Sequence, residues 1–264
     1  PKQILSKNYI PKFLKKLISS SFRIFENQSS KAFSFVITAT DAIRCKFLKY
    51  TSNVIDVKNY ISIEYTKNKT QTQNKSDHNV LKIIFIGSIY GERGIIEGIK
   101  AMNLLSDLPL KFVLYGPIDK KFLLRLRNLD EVGKLEYQGI IPYTEVISRL
   151  KEADIGFLCD CPLKRHMEGL PVKLFEYMAA GLPVIASNFP LWKQIVEKYN
   201  CGICVDPTDP REIAEAIEYL CKNPEVRKQM GQNGRKAILE EYNWEKESKK
   251  FLDIYSKILG DNNV

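Results

Sequence analysis

From Leu81 onward, short apolar segments alternate with longer amphipathic ones, and this alternation restricts the fold more than any other feature of the chain. Six segments have the composition of strands, at 81–86, 110–115, 134–138, 154–158, 183–187 and 202–205. Helical spacing lies between them, near 94–105, 119–130, 143–151, 171–180 and 189–198. Strands that alternate with helices indicate a parallel sheet covered on both faces. We therefore predict an α/β fold with a Rossmann-like sheet.

The two ends of the chain carry further helical patterns. Asp209, Pro210 and Glu212 form a capping-box-like start for a helix after Thr208, and Pro224 predicts the start of the next. An apolar stripe over 244–259 predicts a last helix. Toward the N-terminus, 33–38 and 53–57 read as strands, with a short helix at 41–49 between them.

Positive charge is concentrated near the N-terminus. Residues 1–79 hold 14 Lys/Arg and 5 Asp/Glu, whereas residues 80–264 hold 26 of each, so the net charge of +9 is entirely N-terminal. A nucleic-acid binder would carry a basic stripe on its folded domain, so no nucleic-acid partner is expected. A basic amphipathic segment suits an anionic membrane surface better.

Residues 11–25 form the amphipathic part of this basic region. Leu14, Leu17, Ile18 and Phe25 recur at helical spacing, and the Lys and Arg residues lie largely on another face. Two interpretations stay open: a helix packed on the rest of the protein, or contact of residues 1–30 with an anionic membrane. No apolar run approaches the roughly 20 residues that span a bilayer, and no signal peptide is visible. The predicted location is cytoplasmic, with peripheral contact at the inner membrane surface.

Metal binding is not expected. Cys201 and Cys204 have metal-like spacing, but no second Cys/His pair follows at a zinc-site distance, and Cys204 reads as a small buried hydrophobe. No Asp-x-Asp sequence of the kind that carries Mg²⁺ or Mn²⁺ occurs. We predict no metal and no resident cofactor.

The segment from Glu168 to Glu176 reads Glu-Gly-Leu-Pro-Val-Lys-Leu-Phe-Glu and continues into a small-residue stretch ending in Gly-Leu-Pro-Val-Ile-Ala. Because the first N–H groups of a helix lack internal partners, those around Val172 and Lys173 can bind phosphate oxygens. A carboxylate on either side can accept hydrogen bonds from sugar hydroxyls. The alternative interpretation is a surface helix with two solvated glutamates.

A second candidate loop, from Gly87 to Gly94, reads Gly-Ser-Ile-Tyr-Gly-Glu-Arg-Gly and connects a strand to a helix. Its glycines allow the backbone to approach a phosphate closely, although similar spacings occur in ordinary turns. The guanidinium of Arg93 suits forked contact with phosphate.

The pattern of Glu, seven residues, Glu and then Gly-x-Pro-Val-Ile-Ala resembles the donor-binding domain of glycosyltransferase family 4 (group 1), which has the two-lobed GT-B fold. The resemblance covers about 80–260 and, weakly, 30–65. It implies four segments: a remnant of the N-terminal, acceptor-side lobe (1–65), a polar linker or loop (66–79), a nucleotide-sugar-binding domain (80–242) and a C-terminal helix packed on the N-terminal lobe (243–264).

The resemblance also implies residue roles. Glu168 would lie against the donor sugar, Glu176 would hold the ribose hydroxyls, and Arg93 would bind the donor diphosphate, with Glu168 and Arg93 as the catalytic pair. The implied donor-binding residues are Gly87, Ser88, Arg93, Ile140, Ile141, Glu168, Leu170, Val172, Lys173 and Glu176.

Four positions leave alternatives open. Ser88 stands where many members have Arg, so one phosphate-binding charge is missing unless Lys164 or Arg165 supplies it. Ile140 and Ile141 would face a nucleobase edge or form an ordinary turn. His166 is a loop residue or an acid–base group.

The predicted function is transfer of a sugar from a nucleoside-diphosphate sugar to a glycan or lipid-linked acceptor. By resemblance, transfer would retain anomeric configuration and need no metal, and this chain would supply the donor-binding part. The alternatives are a non-catalytic nucleotide-binding module and a basic membrane-docking protein.

Overall fold

The computed structural model describes residues 11–67 and 80–260, and these fall into two compact units. Of these described residues, one unit comprises 11–59 and 247–260, and the other comprises 60–67 and 80–246. The sequence placed these boundaries at 65 and 242 instead. Tyr60 belongs to the second unit because its ring lies 4.7 Å from that of Phe175 and 5.4 Å from that of Tyr242.

The first unit is a small α/β layer. Its elements are α1 (Lys12–Ser29), β1 (Val36–Thr38), α2 (Asp41–Phe47), β2 (Val54–Asp56) and, from Glu247 onward, α12 (Trp244–Leu259). Strands β1 and β2 are parallel, with Val36 opposite Val54. The strand–helix–strand order predicted for 33–57 is confirmed, with strands shorter than expected.

Lys58 ties the elements of the first unit together. Its side chain is largely buried, and its Nζ lies 2.9 Å from Asp41 Oδ2 and 3.0 Å from Asp56 Oδ2. Burial alone would raise the pKa of Asp56, but the bonds to Lys58 outweigh it and the pKa is lowered. The Lys58 backbone N–H donates to Glu247 Oε2 at 2.8 Å, so α12 is held beside β2.

The second unit contains the predicted parallel sheet. After α3 (Glu64–Lys67), the chain forms β3 (Leu81–Ile86), a 3-10 turn (Gly91–Arg93), α4 (Ile95–Leu104), β4 (Leu110–Tyr115), α5 (Lys120–Leu129), β5 (Leu135–Tyr137), α6 (Tyr143–Lys151), β6 (Ile155–Leu158), α7 (Lys164–Met167), α8 (Val172–Ala180), β7 (Val184–Ser187), α9 (Pro190–Tyr199), β8 (Gly202–Val205), α10 (Pro210–Lys222) and α11 (Pro224–Glu240). All pairings in the sheet are parallel, in the order β5-β4-β3-β6-β7-β8. The predicted Rossmann-like α/β fold is confirmed.

Both faces of this sheet are covered by apolar helix surfaces. One face packs against α4, α5 and α10, through residues such as Ile99, Leu126 and Ile217. The other packs against α6, α8, α9 and α11, through residues such as Leu150 and Leu174. Burial of these two apolar layers is the main favourable contribution to folding.

The predicted linker at 66–79 needs a correction at its start. Thr66 and Lys67 belong to α3, and Thr66 is buried with its hydroxyl donating to the Ile63 carbonyl at 2.6 Å. The remaining linker positions, 68–79, lie outside the described residues, as does His78. Within 11–67 and 80–260, none of the helices combines the length and apolarity needed to cross a membrane.

The strand order reverses between β3 and β6, since β4 and β5 extend the sheet on one side and β7 and β8 on the other. Ligands of open parallel sheets bind beyond the carboxyl ends of the strands at such a reversal. The loops that begin at Gly87, after β3, and at Cys159, after β6, meet there. The topology therefore places the candidate ligand site at these two loops.

We predict that Gly94→Ala destabilises the second unit strongly. Gly94 has φ +64°, and a Cβ there would lie 1.8 Å from the Cys159 carbonyl oxygen, so the backbone would have to move. We expect a loss of about 2 kcal/mol or more in the free energy of unfolding, measured by urea denaturation. Gly91→Ala is the matched control, because a Cβ there meets nothing within 4 Å and should change stability by less than about 0.5 kcal/mol. Equal stability of the two variants would contradict this packing.

Candidate functional site

Backbone lines the carboxyl edge of the sheet beside the reversal. The Gly87 N–H donates to the Tyr115 carbonyl at 2.9 Å, and the Gly116 N–H donates to the Gly139 carbonyl at 2.7 Å. Gly87 has φ +140°, and a Cβ on Gly116 would lie 2.1 Å from the Gly87 carbonyl oxygen. The loops after β3, β4 and β5 therefore pack backbone to backbone, which only glycine permits at Gly116.

The start of α8 points free donors toward this edge. Pro171 precedes the helix, and no side chain caps it. Because the first N–H groups of a helix have no partner within it, those of Val172 and Lys173 are open to a ligand. Their dipole favours an anion.

Lys173 links α8 to the loop after β3. A Cβ built on Gly87 would lie 2.5 Å from Lys173 Cε and 2.9 Å from Nζ, so the ammonium group reaches the position next to Ser88. Its Nζ also lies 4.3 Å from the centroid of the buried Phe85 ring. Burial, with a smaller effect from the charge of Arg93, lowers the pKa of Lys173 to about 8.

Arg93 is anchored by an acid that the sequence reasoning missed. Its NH1 atom lies 2.6 Å from Oδ2 of Asp160, which is 1% exposed. The Nε of Arg93 and the Oδ1 of Asp160 are both buried without a hydrogen-bond partner among the described residues. The position of Asp160 just beyond the carboxyl end of β6 was the signal available in the sequence, because polar residues there face the reversal.

Glu176 is a buried carboxylate. It is the fifth residue of α8 and only 7% exposed, so the interpretation of a solvated surface glutamate does not hold for it. Burial raises its pKa, and the nearby Tyr143 hydroxyl and the charge of Lys173 act in the opposite direction. Tyr143, at the start of α6, was also missed by the sequence reasoning.

Glu168 has a different environment from Glu176. It follows the one-turn helix α7, its side chain is 44% exposed, and its Oε1 lies 3.5 Å from Lys164 Nζ. The chain directly after it is fixed, because the Gly169 carbonyl accepts from Trp192 Nε1 at 2.7 Å. The structure therefore places Glu168 on an anchored but exposed rim.

The two cations suggested as substitutes for the missing Arg at 88 pair with acids instead. Lys164 contacts Glu168, and Arg165 forms an ion pair with Glu92. Ser88 is exposed, and Lys173 is the cation that lies beside its neighbour Gly87. Of the three cations, Lys173 is thus the one for which a contact with the loop after β3 is observed.

His166 is buried in α7 rather than lying in a loop. Its Nδ1 is 2.9 Å from the Cys161 carbonyl, so Nδ1 carries a proton and donates. Its Nε2 accepts from Arg165 Nε at 3.3 Å. Both nitrogens are engaged in fixing the loop after β6, which favours a structural role over an acid–base role.

The remaining predicted residues divide by exposure. Ile140 is 71% exposed. Ile141 is partly buried against the hydrophobic core, which favours the alternative of an ordinary turn for this residue. Leu170 also packs against that core, and Val172 is half-buried.

We predict that Lys173 destabilises the fold in a pH-dependent way. Its ordinary pKa of 10.5 falls to about 8 in the folded state, so the unfolded chain binds this proton more tightly. As pH rises from about 8 to 10.5, Lys173 loses its proton in the folded chain before it does so in the unfolded chain. The free energy of unfolding of the parent should therefore increase over this interval. At pH 7, Lys173→Met should be more stable than the parent by about 1–3 kcal/mol, and this gap should shrink over that interval.

Urea denaturation at several pH values measures the gap. Lys164→Met removes an exposed lysine nearby and is the control, expected to leave the dependence unchanged. A constant difference between Lys173→Met and the parent from pH 7 to 10.5 would show that Lys173 is not buried as described.

Comparison with known proteins gives the following matches. The family model described as "Glycosyl transferases group 1" matches residues 66–237. An uncharacterized glycosyltransferase of Methanocaldococcus jannaschii is 29% identical over 221 residues, which cover 81% of this chain and 59% of the relative. The chain spans about three-fifths of the length of that curated relative.

Two solved structures show the same fold at low identity. A glycosyltransferase from Rickettsia africae has a TM-score of 0.71 at 18% identity, covering 96% of this chain and 69% of that one. HepE from Anabaena, solved in complex with UDP, has a TM-score of 0.67 at 15% identity, covering 86% of this chain and 65% of that one.

Proposed function

Since the chain belongs to the group 1 glycosyltransferases, we propose that its second unit binds a nucleoside-diphosphate sugar and supplies the donor-binding half of a glycosyl transfer. The observation that carries this proposal is the meeting of Lys173 with the loop after β3. That contact puts a partly buried cation, free helix N–H groups and the loop of Arg93 at one edge of the sheet.

The charge balance of this edge fits a diphosphate. Asp160 neutralises and orients Arg93, so Lys173 carries the charge that Arg would carry at position 88 in many family members. A nearby dianion would raise the pKa of Lys173 back above 8 and hold it charged. The first N–H groups of α8 add donors without a counter-charge.

These groups also suit the chemical step. As the bond to the sugar breaks, negative charge develops on the departing diphosphate, and donors already held in place stabilise it without reorganisation. Arg93, kept rigid by Asp160, and Lys173 are our candidates for this role. Glu168, on its anchored rim, is our candidate for contact with the donor sugar. Retention of anomeric configuration and independence of metal ions stay predictions.

HepE, whose fold this chain shares, has been solved with UDP and with UDP-glucose. This supports UDP as the first probe, with GDP beside it, and does not identify the base. The acceptor, a glycan or a lipid-linked sugar, is likewise a proposal.

Titration calorimetry of the 264-residue chain with UDP and with uridine tests the diphosphate site. We expect Lys173→Met to weaken UDP binding by about 10- to 100-fold, the effect of losing one hydrogen bond to a charged group, and to leave uridine binding unchanged. Lys164→Met, which removes an exposed lysine from α7, should bind like the parent. If Lys173→Met and the parent bind both UDP and GDP with equal affinity, the proposed diphosphate site is wrong.

A non-catalytic nucleotide-binding module would give the same titration. Turnover separates the two functions, because only a glycosyltransferase consumes a UDP-sugar at a rate that depends on added acceptor.

We also propose that α1 contacts an anionic membrane surface. Phe13, Leu17 and Phe25 stay largely exposed on this helix, along with Lys16 and Arg23. Exposed apolar side chains beside basic ones suit the interface of an acidic bilayer.

Vesicle flotation tests this contact. We expect the chain to float with phosphatidylglycerol vesicles and to stay at the bottom with phosphatidylcholine vesicles. Leu17→Ser with Phe25→Ser should abolish flotation, and the same changes at exposed Leu124 and Tyr219, outside α1, should not. Absence of flotation, or tighter binding to RNA than to acidic vesicles, would exclude the membrane role.

A further inference from the structure

Helix α5 carries a concentration of exposed positive charge. Lys120, Lys121, Arg125 and Arg127 are all exposed, and the helix contains no acidic residue. Every other helix of eight or more residues in the described part of the second unit contains at least one Asp or Glu. The equal numbers of positive and negative residues over 80–264 conceal this cluster, because the balancing acids lie on other elements.

The four cations lie on one side of α5. At 3.6 residues per turn, their positions fall within about 160° of the helix circumference. The same arc includes the exposed Leu124 and Asn128, and the opposite side packs on the sheet through the buried Leu126. We call this face the basic track; it consists of Lys120, Lys121, Arg125, Arg127 and Asn128.

The two acids that flank α5 are engaged with backbone donors. Asp119 Oδ1 accepts from the Lys121 N–H at 2.9 Å and so caps the start of the helix. The two carboxylate oxygens of Asp130 accept from two N–H groups of the following chain, at 3.0 and 2.9 Å. Within 11–67 and 80–260, none of the four cations of the track has an ion-pair partner. The track is therefore a firmly held basic surface that is open to an anion.

The basic track starts beside the candidate site. The Pro117 carbonyl, in the loop that leads into α5, accepts from the Ile89 N–H, in the loop after β3, at 2.9 Å. Ile118 pairs with Ile89 in an isolated bridge, and Lys120 is two residues further on. From there the ten residues of α5 extend about 15 Å along the flank of the sheet. The cations thus begin next to the loop that holds Ser88 and lead away from it.

We infer that the basic track binds an anionic glycan, the acceptor of the transfer, and guides it toward the donor site. The substrate class is a saccharide chain that carries phosphate, sulfate or carboxylate groups. This inference rests on the proposed function, because a track for an acceptor requires a donor site at its end.

The composition of the track favours a glycan over other anionic partners. Leu124 is the one large apolar side chain exposed on α5, whereas contact with a bilayer uses several, as Leu17 and Phe25 offer on α1. Single-stranded nucleic acid stacks its bases on aromatic rings, and the track contains none. Lys and Arg bind the anionic groups of a saccharide, and the Asn128 amide can bind its hydroxyls. A charged glycan therefore engages every polar group of the track.

Titration calorimetry of the 264-residue chain tests the track with a sulfated dextran oligosaccharide and with the uncharged oligosaccharide of the same length. We expect only the sulfated probe to bind, with an affinity that falls as salt rises. Lys120→Gln with Lys121→Gln should weaken its binding about tenfold, the effect of losing two exposed ion pairs. Arg125→Gln with Arg127→Gln should weaken it to a similar extent, because the track runs the length of α5.

The matched control is Lys228→Gln with Lys236→Gln. Both lysines are exposed on α11, in the helix layer on the other face of the sheet, and the two changes remove the same net charge. This variant should bind the sulfated probe like the parent. If the α5 variants and this control lose equal affinity, or if the sulfated probe does not bind the parent, the inference is overturned.

Lysine acetylation read by mass spectrometry locates the contact in the unaltered chain and separates α5 from the basic helix α1. The sulfated probe should slow acetylation of Lys120 and Lys121 and leave that of Lys228 unchanged. Protection of Lys15 and Lys16 on α1, without protection of Lys120 and Lys121, would place the contact on the wrong helix and overturn the inference.

Titration with UDP and GDP keeps this inference apart from the proposed function. If both fail to bind the parent, the proposed function fails and this inference fails with it. If nucleotide binds, the α5 variants should bind it like the parent; weaker binding by these variants would assign the cations to the donor and overturn only this inference. Tighter binding of poly(U) or of phosphatidylglycerol vesicles than of the sulfated probe, lost in the α5 variants, would overturn the glycan as the partner.

Discussion

The reversal of strand order between β3 and β6 is the constraint on which the candidate site depends. It leaves an opening at the carboxyl edge, into which the loops after β3 and β6 project from neighbouring strands. Gly94 allows the loop after β3 to pack backbone against backbone on the loop after β6, and Gly116 allows the loop after β4 to pack in the same way on the loop after β3. Arg93 can then meet Asp160, which lies far from it in sequence, at 2.6 Å. Without this topology the same residues would be unrelated polar positions on separate loops.

Charges at this edge are held partly out of water, and that gives them their chemical value. Lys173 lies over the Phe85 ring with its pKa lowered to about 8, and Glu176 is buried with its pKa raised. The charged form of each group is less stable in the folded chain than in water. A ligand with complementary charge or hydrogen-bonding groups would stabilise that charged form. In a site of this kind, the buried charges lower the free energy of unfolding and are available to bind a ligand, as is common at functional sites.

The two glutamates that define the sequence pattern are not equivalent in the structure. Glu176 lies inside α8 and is only 7% exposed. Glu168 lies on a rim with an exposed side chain that contacts Lys164, and the backbone that follows it is anchored by Trp192. A buried acid suits a fixed part of a ligand such as ribose. An exposed acid on a firm backbone suits a part that changes during reaction, such as the transferred sugar.

The sequence by itself determined the alternation of strands and helices, the helix starts at Pro210 and Pro224, and the two segments that carry the candidate site. Those features follow from local periodicity and capping, which neighbouring residues encode. Only the tertiary structure decided that Lys173, rather than Lys164 or Arg165, lies beside Gly87 and that Asp160 holds Arg93. Each of these contacts joins residues from different strands and helices, and no local pattern encodes a distance between them. The burial of Thr66 in α3 is also a result of tertiary packing, because the polar sequence around it predicts an exposed linker.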